Sequence, residues 1–163
     1  PKIFRLVKNG KLIEGVYEGE TLNTPSMFCV ADALDSLMWI KEIGGLTETI
    51  RRSNENFKCL QGWVDKTPWI ENLVSDPRNR SNTSVCLKFS DERLISLIPD
   101  EKTRFVKEFV ALLEAENAAF DIKGHRNAPP GLRIWCGATI NLDDIQKLLP
   151  WLEYCFHEII SSY

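Results

Sequence analysis

Apolar and β-branched residues open the chain in two short segments, Phe4 to Val7 and Lys11 to Tyr17, on either side of Asn9-Gly10. That dipeptide suits a tight turn, and the pattern predicts a β-hairpin. From Pro25 the period changes. Met27, Val30, Ala31, Leu34, Leu37 and Met38 recur at helical spacing and the run stops at Gly44-Gly45, which predicts one long helix with a glycine end. A second helix is predicted from about Thr47 to Asp65, with Ile50, Phe57, Leu60 and Val64 on one stripe and Pro68 beyond its end.

Two strands are then predicted, Trp69 to Val74 and Thr83 to Phe89, separated by the polar loop 75–82. Helical periodicity returns around Phe105, Phe109, Leu112 and Leu113, and Ala119 to Ile122 reads as a further short strand. A Gly- and Pro-containing loop, 123–130, leads into a strand from Leu132 to Cys136. Asn141, with Asp144 three residues on, has the form of a helix cap. Beyond it Ile145, Leu148, Leu149, Leu152, Phe156 and Ile159 give the last helix its buried stripe. The order of elements predicts an α+β fold in which helices pack on a small, mostly antiparallel sheet. A two-stranded hairpin is marginal alone. Residues 1–24 are therefore expected to be the tail of another domain, 25–44 a connecting helix, and 45–163 the domain with its own core.

Composition narrows what such a domain can do. With 44% hydrophobic residues over 163 positions the chain can bury an ordinary core, and a net charge of -3 gives no reason to expect nucleic acid or an anionic membrane as partner. The five cysteines, Cys29, Cys59, Cys86, Cys136 and Cys155, are widely spaced with no CxxC pair. They read as reduced thiols of a cytoplasmic protein rather than disulfides or a metal site. No apolar run reaches the roughly 18 residues of a membrane span, and the opening residues do not form a signal peptide. The chain contains no GxGxxG, P-loop, HExxH or GxSxG.

Two places carry candidate chemistry. Asn23-Thr24-Pro25 precedes the long helix, where a cap residue, a proline at the first helical position and free N–H groups would suit an anion. An ordinary cap is the alternative. Gly124-His125-Arg126 lies in the later loop, with Arg133 on the strand that follows. Alternation sets Arg133 opposite Leu132 and Ile134, so its guanidinium can leave the core and grip a carboxylate. Solvated surface charge is the alternative there.

These residues sit within an ordered set of stretches. It begins with Glu20-Thr21-Leu22-Asn23-Thr24-Pro25-Ser26-Met27, Ile43-Gly44-Gly45-Leu46 and Asn79-Arg80-Ser81-Asn82-Thr83-Ser84-Val85. It continues with Lys123-Gly124-His125-Arg126 and Pro130-Gly131-Leu132-Arg133-Ile134-Trp135-Cys136-Gly137-Ala138-Thr139. The set resembles the C-terminal part of the phosphoserine aminotransferases, class V members of the fold-type I pyridoxal-phosphate enzymes. The resemblance implies the small C-terminal domain of that fold. It assigns Asn23 and Thr24 to the cofactor phosphate of a neighbouring subunit, His125 and Arg126 to the substrate phosphate, and Arg133 to the α-carboxylate. It also implies pyridoxal 5'-phosphate as cofactor, phosphoserine and glutamate as substrates, a homodimer, and a role in serine biosynthesis. For bacterial members the resemblance leaves a phosphorylated hydroxythreonine of vitamin B6 synthesis open as a related substrate. The Schiff-base lysine would lie upstream of this chain, so no catalytic residue is assigned here and the segment alone is not expected to transaminate. Another class V aminotransferase, a cysteine desulfurase and a non-catalytic binding module are the competing readings.

Overall fold

The computed structural model describes residues 6–21 and 23–163, and the chain divides between Gly45 and Leu46 into two compact units. In the first, β1 (Val7–Lys8) pairs antiparallel with β2 (Lys11–Leu12). Asn9 and Gly10 between them have φ of 52° and 75°, the left-handed pair that a two-residue hairpin turn requires and that asparagine and glycine tolerate. The expected strand to Tyr17 is shorter than the sequence suggests. Glu14–Tyr17 forms a 3-10 turn, and the Gly15 carbonyl accepts from the Glu18 and Glu20 N–H groups at 3.0 and 2.7 Å, which coils the chain away from β2. Phe4 and Arg5 of the expected first strand lie outside the described residues.

The long helix, α1 (Met27–Glu42), is capped by Ser26, whose Oγ accepts from the Cys29 N–H at 3.4 Å. The expected cap at Asn23 or Thr24, with Pro25 in the first turn, is corrected by two or three positions: the closer hydroxyl of Ser26 takes the helix N-terminus and all three residues precede the helix. Gly44 and Gly45, with φ of 116° and 75°, end the helix as expected. None of its residues is buried, and Met27, Leu34 and Leu37 are more than half exposed.

The second unit holds the core. Helix α2 (Gly45–Val64) buries Ser53, Asn56, Leu60 and Val64, whereas Ile50 is half exposed. The buried stripe thus passes through two polar residues rather than through Ile50. Strands β3 (Ile70–Asn72), β4 (Ser84–Phe89) and β5 (Leu132–Trp135) form an antiparallel sheet in the order β3-β4-β5. Between β4 and β5 come a one-turn helix, α3 (Glu92–Ile95), and α4 (Pro99–Ala115). The last helix, α5 (Leu142–Ile160), starts where the sequence places it, with the Asp144 carboxylate accepting from the Asn141 N–H at 3.2 Å.

The expected strand Ala119 to Ile122 does not form. Asp121 takes a left-handed φ of 53°, which breaks an extended run, and only Lys123 pairs, in an isolated bridge to Leu132.

Side-chain alternation divides the sheet into two faces. Ile70, Val85, Leu87, Leu132 and Ile134 are buried in the core with Leu60, Phe109 and Leu152, each large apolar side chain contributing about 1.5–3 kcal/mol. Trp69 stacks on Phe156 of α5 with ring centroids 4.1 Å apart, and its indole N–H, like that of Trp63, donates to Glu153. The other face carries Ser84, Cys86, Arg133 and Trp135, with Cys86 opposite Arg133 and Ser84 opposite Trp135. Among the described residues no helix is long and apolar enough to cross a membrane.

Candidate functional site

The polar face of β5 presents Arg133. Its flanking residues Leu132 and Ile134 are buried while Arg133 keeps 38% of its side chain exposed, so the alternation expected from the sequence holds. The guanidinium Nη2–H donates to Asp121 Oδ2 at 3.4 Å. Around it a hollow of about 390 Å³ is walled by Phe120 and Trp135. The Trp135 indole is itself held by a donation to Thr139 Oγ1 at 3.0 Å.

The loop before β5 is closed at its base. The Gly124 N–H donates to the Gly131 carbonyl at 2.8 Å and the Arg133 N–H to the Ile122 carbonyl at 2.7 Å. Gly131 runs so close to β4 that a Cβ there would stand 2.2 Å from the Leu87 oxygen, which only glycine avoids. Within the loop the Ala128 N–H donates to the His125 carbonyl at 2.8 Å, and the His125 ring accepts the Asn127 N–H at Nδ1 over 3.2 Å. A neutral ring accepting at Nδ1 carries its proton on Nε2, and no partner among the described residues takes that N–H. Arg126 is exposed, and no hydrogen bond or ion pair among the described residues engages its guanidinium. His125, Arg126 and Lys123 line a hollow of about 200 Å³ to which no acidic residue contributes.

The structure therefore brings His125 and Arg126 together and gives Arg133 a separate hollow on the sheet face. Asn23 and Thr24 lie in the first unit, both exposed. The Thr21 hydroxyl donates to the Asn23 carbonyl at 2.7 Å, and no hydrogen bond among the described residues engages the Asn23 side-chain amide or the Thr24 hydroxyl. The first N–H groups of the helix that follows have no intrahelical acceptor.

Two supporting residues went unread in the sequence. Asn56 is 1% exposed, and its amide donates to the carbonyls of Ile140 at 2.9 Å and of Cys136 and Gly137 at 3.4 Å. Arg52, one turn earlier, donates to the Ala138 carbonyl at 2.9 Å. Together they fasten the chain leaving β5. The signal was available as two polar residues four apart, in register with Leu60 on the apolar stripe of α2. Among the described residues no group of three or more His, Cys, Asp or Glu could hold a metal. Burial pushes the thiol of Cys136 up to about 12, that of Cys155 up to about 11, and that of Cys59 upward, which is the reverse of what an activated sulfur nucleophile needs.

No family model matches the chain. Over 158 residues, 96% of its length, it is 44% identical to the phosphoserine aminotransferase of Methanosarcina mazei, and over 159 residues equally so to that of Methanosarcina barkeri. It spans about 40% of the length of these curated relatives. Among solved structures, phosphoserine aminotransferase from Bacillus circulans subsp. alkalophilus superposes with a TM-score of 0.70 at 24% identity, covering 88% of this chain and 36% of that one. The pyridoxal-phosphate-bound enzyme from Trichomonas vaginalis gives 0.68 at 22% identity, over 85% and 36%.

Its mixed helix-and-sheet architecture is thus that of the C-terminal part of a fold-type I aminotransferase. Similarity along 96% of its length to enzymes of one name completes the assignment: the chain belongs to the phosphoserine aminotransferase family.

Proposed function

We propose that this chain is the substrate-clamping C-terminal domain of a phosphoserine transaminase, which moves an amino group from glutamate to 3-phosphohydroxypyruvate, giving phosphoserine and 2-oxoglutarate. The observation that carries the reading is the acid-free hollow in which the His125 Nε2–H and the Arg126 guanidinium stand without an internal anion. A dianionic phosphate supplies the acceptors these donors lack, and each charge-assisted hydrogen bond is worth about 1.5–3 kcal/mol. Arg133, on the neighbouring strand, takes the α-carboxylate. With both ends of the substrate held, the Cα–H bond is fixed in one direction, and the entropy of orienting it is removed from the chemical step. Phosphohydroxythreonine offers the same two anionic ends and fits the same anchors.

Pyridoxal 5'-phosphate, which the Trichomonas vaginalis relative holds, is the cofactor of the intact protein; it supplies the electron sink. Asn23 and Thr24 fit its phosphate in kind, since an amide, a hydroxyl and the nearby start of α1 together make a neutral donor set for an anion. In this reading they serve the cofactor of a neighbouring subunit, residues 1–24 belong to the large domain, 25–44 connect, and 45–163 form the small domain. The lysine that holds the cofactor belongs to the remainder of the protein. The exposed apolar side chains of α1 support a homodimer in which they are covered. A cytoplasmic location agrees with five free cysteines.

The test is glutamate-dependent amination of phosphohydroxypyruvate by the intact protein and by its Arg133→Ala and His125→Ala variants. Activity in the parent and a kcat/KM that falls strongly but measurably in both variants support the reading. A parent inactive on this keto acid but active on another removes the substrate assignment.

A further inference from the structure

Arg133 already has an anion beside it. The stretch before the loop is tied to β5 by the donation from the Arg133 N–H to the Ile122 carbonyl and by the Lys123–Leu132 bridge. The residue next to this tie, Asp121, is turned by its left-handed φ of 53°. Aspartate adopts this conformation more readily than most side chains, because its short polar group can bond locally. The result is a carboxylate 3.4 Å from the guanidinium, and the only acidic group among the described residues lining that hollow.

We infer that Asp121 sets the strength of the carboxylate anchor, as a resident counter-ion that an incoming carboxylate must displace from Arg133. The inference rests on the reading of Arg133 as the carboxylate anchor. Three features make the pair exchangeable. It is made through a single long contact, so most guanidinium donors stay available. Asp121 is 90% exposed and can swing into solvent without desolvation cost. Exposed pairs of this kind are weak and screened by salt.

The two anion sites are consequently unequal. The hollow of His125 and Arg126 has cations without an acid, whereas that of Arg133 carries its own acid. A molecule offering only a carboxylate meets the attenuated site and is held poorly. One that also offers an anion to the loop is retained, because the unattenuated end anchors it. Asp121 thus lowers affinity for every carboxylate by the same factor, and discrimination in favour of a second anionic end is left to the loop hollow.

The experiment is steady-state kinetics on the intact, cofactor-loaded protein with Asp121→Asn, chosen because asparagine keeps the acceptor oxygen and the left-handed backbone while removing the charge. The KM for glutamate is expected to fall about two- to five-fold with kcat unchanged, and the gain to shrink in about 0.5 M salt. In an Arg133→Ala background the same substitution is expected to change nothing. An unchanged or raised KM in Asp121→Asn, or an effect that persists without Arg133, would overturn the inference. If Arg133→Ala itself leaves the glutamate KM unaltered, the carboxylate anchor falls and this inference with it. If Arg133→Ala raises KM strongly while Asp121→Asn is neutral, only the inference fails.

Discussion

The Asn56 amide, 1% exposed on α2, donates to the Ile140 carbonyl at 2.9 Å, in the segment that leaves the strand carrying Arg133. A side chain 84 positions away in sequence thereby fixes where β5 ends and α5 begins. Replacing it with leucine of similar volume would strand the Ile140 carbonyl and lose the longer contacts to Cys136 and Gly137. Asn56→Leu is expected to cost about 2–3 kcal/mol in urea unfolding, and to raise substrate KM more than it lowers kcat, since Arg133 would lose its fixed strand end.

Helix α3 offers a pH-dependent case. The Asp91 carboxylate caps it by accepting the Arg93 N–H at 3.0 Å and pairs with the Arg93 guanidinium at 2.9 Å. That guanidinium, more than any other cause, holds the Asp91 carboxyl below its ordinary value. A carboxyl lowered in the folded state contributes stability that is complete above its unfolded pKa of about 3.9 and is lost as pH falls through the folded value. Asp91→Ala should therefore cost about 1 kcal/mol at neutral pH, and thermal melts of parent and variant should converge as the pH is taken below about 4.

Local chemistry was readable where a few adjacent residues decide the outcome. Asn9-Gly10 sets its turn because both backbones tolerate positive φ, and Asn141 with Asp144 marks the start of α5 because a cap is satisfied within four residues. The long helix α1 was legible in period but not in its first residue, since Ser26 competes successfully with two earlier candidates. Ala119 to Ile122 looked like a strand because its composition is apolar, yet one left-handed residue, Asp121, decides against it, and nothing local announces that conformation. Asn56 and Arg52 were missed for a different reason: their spacing on the stripe of Leu60 hinted at burial, but not at what they bind. Polar residues within a helix look like its wet face until their acceptors, supplied from far along the chain, are in place. The same distinction applies to the site: His125, Arg126 and Arg133 stood out by type and loop context, while their division between two hollows depends on the closure of loop 124–131.

The thiols give a prediction independent of catalysis. Because burial pushes Cys136 and Cys155 up to about 12 and about 11, neither supplies thiolate at about pH 8. Iodoacetamide should modify exposed Cys29 in the native protein and spare these two, with all five labelled after unfolding; mass measurement of the labelled protein distinguishes the cases.

The phosphate clamp is tested most directly by comparing kcat/KM for phosphohydroxypyruvate and for unphosphorylated hydroxypyruvate in the intact protein and in Arg126→Ala. The substitution should lower kcat/KM for the phosphorylated keto acid by about ten- to a hundred-fold and leave the unphosphorylated one nearly unchanged, so that the preference collapses. Equal losses on both substrates, or none on either, would contradict the assignment of the His125 and Arg126 hollow to phosphate.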